Sequence, residues 1–316
     1  MCRGPAGATG GARKQEPQRS KREALMKWQD FGRSDNVEDR RGQSGGLPGG
    51  RGGLGIGTVV VLGLIGWALG IDPRLLIGGA EKLNSMRQGA QTNTMQPGQT
   101  GTPSDDMGQF VAAVLNANET VWSEVLPREK GVPYTKPTLV LYSGRTASGC
   151  GGAQSAMGPF YCPRDRKVYL DTAFFQDMKR RLGGGGDFAY TYVIAHEIGH
   201  HVQNLLGILP KVQAAQLAAA SKGEANNLSV RVELMADCLA GVWAANAERK
   251  YQFLEAGDLE TAVATAQAIG DDRLQQSAQG FAVPDSFTHG TAAQRVQWLN
   301  AGLKSGEVDS YNTFAR

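Results

Sequence analysis

His196-Glu197-Ile198-Gly199-His200 sets two imidazoles four residues apart with a carboxylate between them. On a helix, positions i and i+4 fall on one face, so both rings can reach a single metal ion. The spacing suits zinc, and Glu197 then lies close enough to a water on the ion to act as its general base. Tyr192, Val193, Ile194, Ile198, Val202, Leu205 and Leu206 form an apolar stripe that would bury such a helix, and Gly207 and Pro210 are expected to end it. The competing reading makes His196 and His200 ordinary core histidines.

A catalytic zinc takes three protein ligands and keeps one position for water. The candidate third ligand is Glu233, in Glu233-Leu234-Met235-Ala236-Asp237, within an apolar-periodic stretch predicted as a helix from about Leu228 to Glu248. Asp237 shares its face one turn on, placed to accept the far N–H of a ligating imidazole and hold its tautomer. Standing alone, the two carboxylates would read as a solvated face paired with Arg231. His201 is about 100° round the helix from His200 and cannot easily share the ion. The longer metzincin pattern needs glycine and histidine where the chain has Gln203 and Leu206, which excludes that arrangement.

His289, in Phe287-Thr288-His289-Gly290-Thr291, is the one histidine of the 4 away from this cluster. It precedes a helix expected over Ala292 to Leu303. It is a candidate catalytic donor to the oxyanion formed when a carbonyl is attacked, or else a histidine with only a local role. Arg295 could position that loop, but reads as a solvated charge.

Several elements must position these residues. Asp105 and Asp106 follow Ser104, the expected N-cap of a helix whose Phe110, Val111, Val114, Leu115, Val121, Trp122 and Val125 form one face and which Pro127 should stop. Thr138 to Tyr142 and Lys167 to Asp171 read as strands, the second paired in a hairpin with Pro159 to Cys162 through Pro163-Arg164-Asp165-Arg166. Helices are expected from Thr172 to Leu182, Lys211 to Ala225 and Leu259 to Ile269. A few strands followed mostly by helices imply an α+β domain, mostly helical with a small sheet.

The chain of 316 residues carries a formal charge of only +3, but its first sixth is strongly basic. Residues 1–51 read as a disordered cytoplasmic arm. Residues 52–71 contain no charge over about the length that crosses a bilayer, with Trp67 near the far end, and read as a transmembrane helix. A glycine-rich buried helix or a cleaved signal sequence are the alternatives, though no cleavage site is evident at Asp72-Pro73-Arg74. Residues 72–103 read as a flexible linker and 104–316 as the catalytic domain. The basic flank predicts a single-pass cell-membrane protein, its N-terminus cytoplasmic and its domain extracytoplasmic. A basic arm beside a span disfavours nucleic acid as a partner. Cys150 and Cys162 bracket a glycine-rich loop and are expected to form a disulfide in an oxidising space, with two-cysteine zinc binding as the competitor. Cys238 reads as a core residue, Cys2 carries no assignment, and Met26 is an alternative translation start.

The chain resembles the bacterial putative neutral zinc metallopeptidase family from about Met26 onward. The resemblance rests on Lys27-Trp28-Gln29-Asp30, Gly158 to Cys162, His196 to Gln203, Glu233 to Cys238 and His289-Gly290. It implies a zincin-like fold and hydrolysis of peptide or protein substrates, with His196, His200 and Glu233 holding Zn2+ and Glu197 as base. On this reading the chain is a membrane-anchored endopeptidase, with the strand at Lys167 to Asp171 an edge that holds an extended peptide. The alternative is a non-catalytic, zinc-containing membrane-tethered binding or scaffold protein.

Overall fold

The structure, a computed structural model, describes residues 26–42, 98–154, 158–181, 186–309 and 312–314. The expected transmembrane helix at 52–71 and most of the expected linker lie outside the described residues. No helix among the described residues is long and apolar enough to cross a membrane.

The chain folds as α+β, mostly helical with a small sheet. Strands β1 (Val37–Asp39), β2 (Gln99–Thr100), β3 (Thr138–Tyr142), β6 (Phe160–Cys162) and β7 (Lys167–Asp171) make one sheet in the order β2-β1-β3-β7-β6, and β4 (Arg145–Ser148) pairs with β5 (Gly151–Gln154) in a separate hairpin. β1, β3 and β7 run parallel, while β2 and β6 are antiparallel edges. Side-chain alternation divides the two faces. Leu139, Leu141, Val168 and Leu170 enter the main core, while Val140, Tyr142 and Tyr169 meet Ala153 and Cys162 on the other side. The sequence places the β3 and β7 strands and the β6–β7 hairpin correctly. It misplaces the edge: Lys167 to Asp171 is hydrogen-bonded on both flanks, between β3 and β6, so it cannot take a peptide by main-chain pairing.

The helices are α1 (Asp106–Lys130), α2 (Ala173–Arg181), α3 (Asp187–Leu205), α4 (Ile208–Leu217), α5 (Lys222–Tyr251), α6 (Asp258–Ala268), α7 (Asp271–Gln279) and α8 (Ala292–Ser305). Asp105, not Ser104, caps α1 by accepting the Gly108 N–H at 3.1 Å. Pro127 does not stop that helix. It stands on the exposed side of the last turns, where its missing N–H leaves a carbonyl to solvent, and the helix ends one turn later at Gly131, whose φ of 64° closes a bond to the Pro127 carbonyl. Pro210 likewise lies in the first turn of α4, where its absent donor costs little, and the run expected from Lys211 to Ala225 is broken before Ser221, which caps α5.

The largest correction concerns the N-terminal segment. Residues 26–42 are not a disordered arm. Met26, Phe31 and Val37 are fully buried in the main core, and β1 sits inside the sheet with Val37 opposite Leu139. Glu38 accepts from Arg40 at 2.8 Å and pairs with Lys167 at 2.7 Å; these bonds overcome the cost of burial and lower its pKa to about 2. The Trp28 indole N–H donates to Asp187 in the first turn of α3 at 3.0 Å. Gly98 meets the same edge, its N–H donating to Glu38 at 3.0 Å.

A sheet cannot be divided by a bilayer, because its main-chain bonds need direct contact between strands. Residues 26–42 and 98–314 therefore stand on one side of any membrane, which corrects the arrangement of cytoplasmic arm and exported domain. Residues 72–97 offer no second apolar run for a return crossing, since they carry Asp72, Arg74, Glu81, Lys82 and Arg87. In a background with Cys2→Ser, single cysteines at the exposed positions Asp30→Cys and Gln213→Cys should react alike with a membrane-impermeant maleimide on intact cells. Labelling of one with protection of the other overturns the shared side.

Candidate metal centre

Gly199 decides how closely the two ligand helices approach. A Cβ on it would lie 3.1 Å from the Ala236 carbonyl oxygen and 3.2 Å from its Cα, so α3 and α5 cross backbone against backbone at this point. That crossing sets Glu233 opposite the histidine pair. The Glu233 Oε2 lies 3.1 Å from His196 Nε2 and 3.5 Å from His200 Nε2. Ligand bonds of about 2.0–2.2 Å at a tetrahedral angle put two zinc donors roughly 3.4 Å apart, so this spacing fits the ion. One donor atom from each of His196, His200 and Glu233 lies within 4.8 Å of the others.

Each imidazole is held by its other nitrogen. His196 Nδ1 donates to Asp237 at 2.8 Å, and His200 Nδ1 donates to the Gln203 side-chain oxygen at 3.0 Å. Gln203, three residues on and fully buried, is itself anchored by its amide, which donates to the Val232 carbonyl at 2.7 Å. Both rings therefore present Nε2 to the common point.

Asp237 is fully buried and accepts from three side chains on two helices. Its Oδ1 takes bonds from the Tyr192 hydroxyl at 2.6 Å, from His196, and from Arg295 Nη2 at 2.9 Å; its Oδ2 takes Arg295 Nε at 2.9 Å. Burial alone would raise the Asp237 pKa, but the Arg295 guanidinium and His196 lower it to about 2. Arg295 is therefore not a solvated charge. It is buried on α8, which packs so closely on α5 that a side chain on Gly302 would collide with the Cys238 carbonyl. Arg295, Leu299 and Gly302 follow helical spacing and share a buried face, the signal in the sequence that could have found it.

His201 stays out of the centre, as its angular position requires. It is fully buried, donating from Nε2 to the Thr135 carbonyl at 2.6 Å and accepting the Tyr161 O–H at Nδ1 at 2.9 Å. Burial pushes its pKa down to about 4, against the pull of the Thr135 bond. Tyr161 precedes Cys162, whose bond to Cys150 forms the expected disulfide. Cys238 is buried, as expected.

The remaining expected residues are near but not identical in standing. Glu197 is 8% exposed, and burial raises its pKa against the opposing charge of the imidazoles, making it a stronger base than an ordinary carboxylate. Glu233 is held well below the usual carboxylate range because the His200 and His196 charges outweigh burial. His289 lies on the loop before α8, in a segment whose Gly290 sits against Leu234 and Val230 on the Glu233 helix.

The match to the family model described as "Putative neutral zinc metallopeptidase" covers residues 26–314. The chain belongs to that family. It is 47% identical over 300 residues to the uncharacterized protein YpfJ of Escherichia coli strain K12, covering 92% of this chain and 99% of that one. It is 41% identical over 258 residues to the uncharacterized protein Rv2575 of Mycobacterium tuberculosis strain H37Rv, covering 78% and 84%. No solved structure matches. The family match begins at Met26, whose side chain is buried in the core.

Two predictions follow from the charges. Asp237 and Glu233 outweigh burial and raise the His196 pKa to about 10, so without metal that ring holds a second proton at neutral pH, while Glu233 shifts His200 in the same direction. Zinc binding near pH 7 should then release at least about one proton per ion, measured by calorimetric titration in buffers of different ionisation enthalpy. No buffer dependence would contradict the protonated His196 ring. Asp237→Asn should weaken zinc binding by roughly 10- to 100-fold, read by competition with a chromophoric chelator.

Proposed function

We propose that this chain is a zinc-dependent endopeptidase with a zincin-like active site, attached to a membrane and working in an oxidising, extracytoplasmic space. The observation that carries the catalytic reading is the convergence of His196, His200 and Glu233 beside the buried, basic carboxylate of Glu197. A bound zinc ion would supply a Lewis-acid centre that lowers the pKa of its water ligand to about 7.

Glu197 accepts the proton of the attacking water and passes it to the leaving amine as the C–N bond breaks. Asp237, backed by Arg295 and Tyr192, keeps the His196 Nε2 lone pair facing the centre. Gln203 does the same for His200. His289 supplies a donor toward the oxyanion formed at the scissile carbonyl. With Lys167 to Asp171 inside the sheet, the edge available to an extended peptide on that flank is β6, which is tied to α3 through Tyr161, His201 and Asn204.

The membrane attachment rests on the apolar residues 52–71, which, with the segments on either side of them held on one side, would enter the bilayer without crossing it, and the oxidising location rests on the Cys150–Cys162 bond, which cytosolic thiols would reduce. The shared sheet carries residues 26–42 into the same space as the domain.

The test uses the full chain in detergent, with zinc quantified and a peptide library digested and mapped by mass spectrometry. Cleavage should be stopped by a chelator and restored by zinc. Glu197→Gln should retain zinc and lose at least about 100-fold in kcat. A zinc-loaded wild type that cuts nothing overturns the endopeptidase reading in favour of a binding or scaffold role, and wild-type rates in the variant overturn the role of Glu197.

A further inference from the structure

Asp271, the first residue of α7, is 3% exposed and has no part in the ligand set, yet it organises the loop that carries His289. Its Oδ2 accepts three successive main-chain N–H groups, from Thr288 at 2.7 Å, His289 at 2.6 Å and Gly290 at 3.2 Å. Its Oδ1 lies 3.2 Å from His289 Nδ1, and its own N–H donates to the Gly290 carbonyl at 2.9 Å. The Thr288 hydroxyl lies 3.1 Å from the same ring nitrogen.

A carboxylate that only anchored a loop would need the backbone bonds alone. Here the second oxygen is spent on the ring. Gly290 has a φ of 92° and packs on Val230 and Leu234, so the loop is clamped between Asp271 and the helix that carries Glu233. About half of the His289 side chain is nevertheless exposed, 52% against 4% for Asp271. The ring is thus fixed at one nitrogen while its body stays accessible beside the metal centre. The charges acting on it come from Asp271, Glu233 and Arg295.

We propose that Asp271 is a positioning residue for the reaction: by accepting the Nδ1–H of His289 it turns Nε2 toward substrate and holds the second proton on the ring, so that Nε2–H of the doubly protonated imidazole donates to the carbonyl oxygen as negative charge develops there. The proposal rests on the endopeptidase reading for its catalytic half, and on geometry alone for the state of the ring. No bond is made or broken by Asp271. It selects which nitrogen faces the substrate, and favours the doubly protonated ring that can donate from both.

The experiment reads the ring directly. In zinc-loaded, nitrogen-15-histidine-labelled full chain, His289 is assigned by its loss in His289→Gln, and its nitrogen shifts are followed through a pH titration. Nδ1 should remain protonated while Nε2 titrates, and a neutral ring with its proton on Nε2 overturns the proposal without any variant at position 271. Asp271→Asn keeps an oxygen for the three N–H groups but turns an amide N–H2 toward Nδ1. It should move the neutral ring's proton to Nε2 and remove the charge that favours the second proton, leaving an uncharged and weaker donor; zinc content should stay unchanged and kcat should fall roughly 10- to 100-fold with little change in KM. Adding Asp271→Asn to His289→Gln should cost no further activity, whereas multiplicative losses would show that Asp271 acts independently of His289 and overturn the assignment. Altered ring nitrogens with an unchanged kcat overturn it as well. If the wild type hydrolyses no peptide while the shifts behave as stated, the endopeptidase reading fails and the control of the ring by Asp271 stands.

Discussion

The buried carboxylate of Asp237 is the constraint around which the site is organised. A charge removed from water is tolerable only when paired and fully hydrogen-bonded. Asp237 meets that condition by drawing on Tyr192 and His196 from α3 and on Arg295 from α8. Three helices distant in sequence are thereby locked in one relative position, and any shift among them exposes an unpaired charge in a dry interior. The helix carrying Asp237 also carries Glu233 one turn earlier, so the rigidity that neutralises the one carboxylate aims the other. Small residues make this possible: Gly199 admits the α5 backbone to α3, and Gly241 and Gly302 admit α8 to α5.

A second level of support comes from the sheet. His201, Tyr161 and Asn204 attach the ligand helix to β6, where the Cys150–Cys162 bond restrains the neighbouring loop. Trp28 attaches the start of the same helix to the N-terminal segment. The ligand helix is thus anchored at both ends by elements that supply no ligand. The N-terminal segment is part of the folded domain by the ordinary criterion of burial, and the family match covers it.

Legibility from the sequence followed the range of the interactions. The histidine pair, Glu197, Glu233 and Asp237 could be read because helical spacing converts one-dimensional distance into a shared face. The α+β class and the β6–β7 hairpin could be read because period-two alternation and turn residues are local signals. Pro127 was misread as a stop because its effect depends on where in a helix it falls, whereas the ligand helix does end before Gly207 and Pro210. Residues 26–42 were misread because three buried apolar side chains among many charges do not form a periodic pattern; β1 exists only through its neighbours, with Glu38 stabilised by Lys167, which lies far along the chain.

The amino-acid order by itself determined the chemical inventory: which side chains can bind a divalent cation, which can move a proton, and which pairs of them share a helix face. Tertiary structure alone decided that Glu233 meets the histidines, that Arg295 is buried against Asp237, that Asp271 holds His289, and that the N-terminal strand is interior to the sheet. The physical reason is that these depend on the crossing of one helix or strand over another. Crossing is set by close packing and by the need to satisfy every buried charge, and neither is a property of any single stretch of chain.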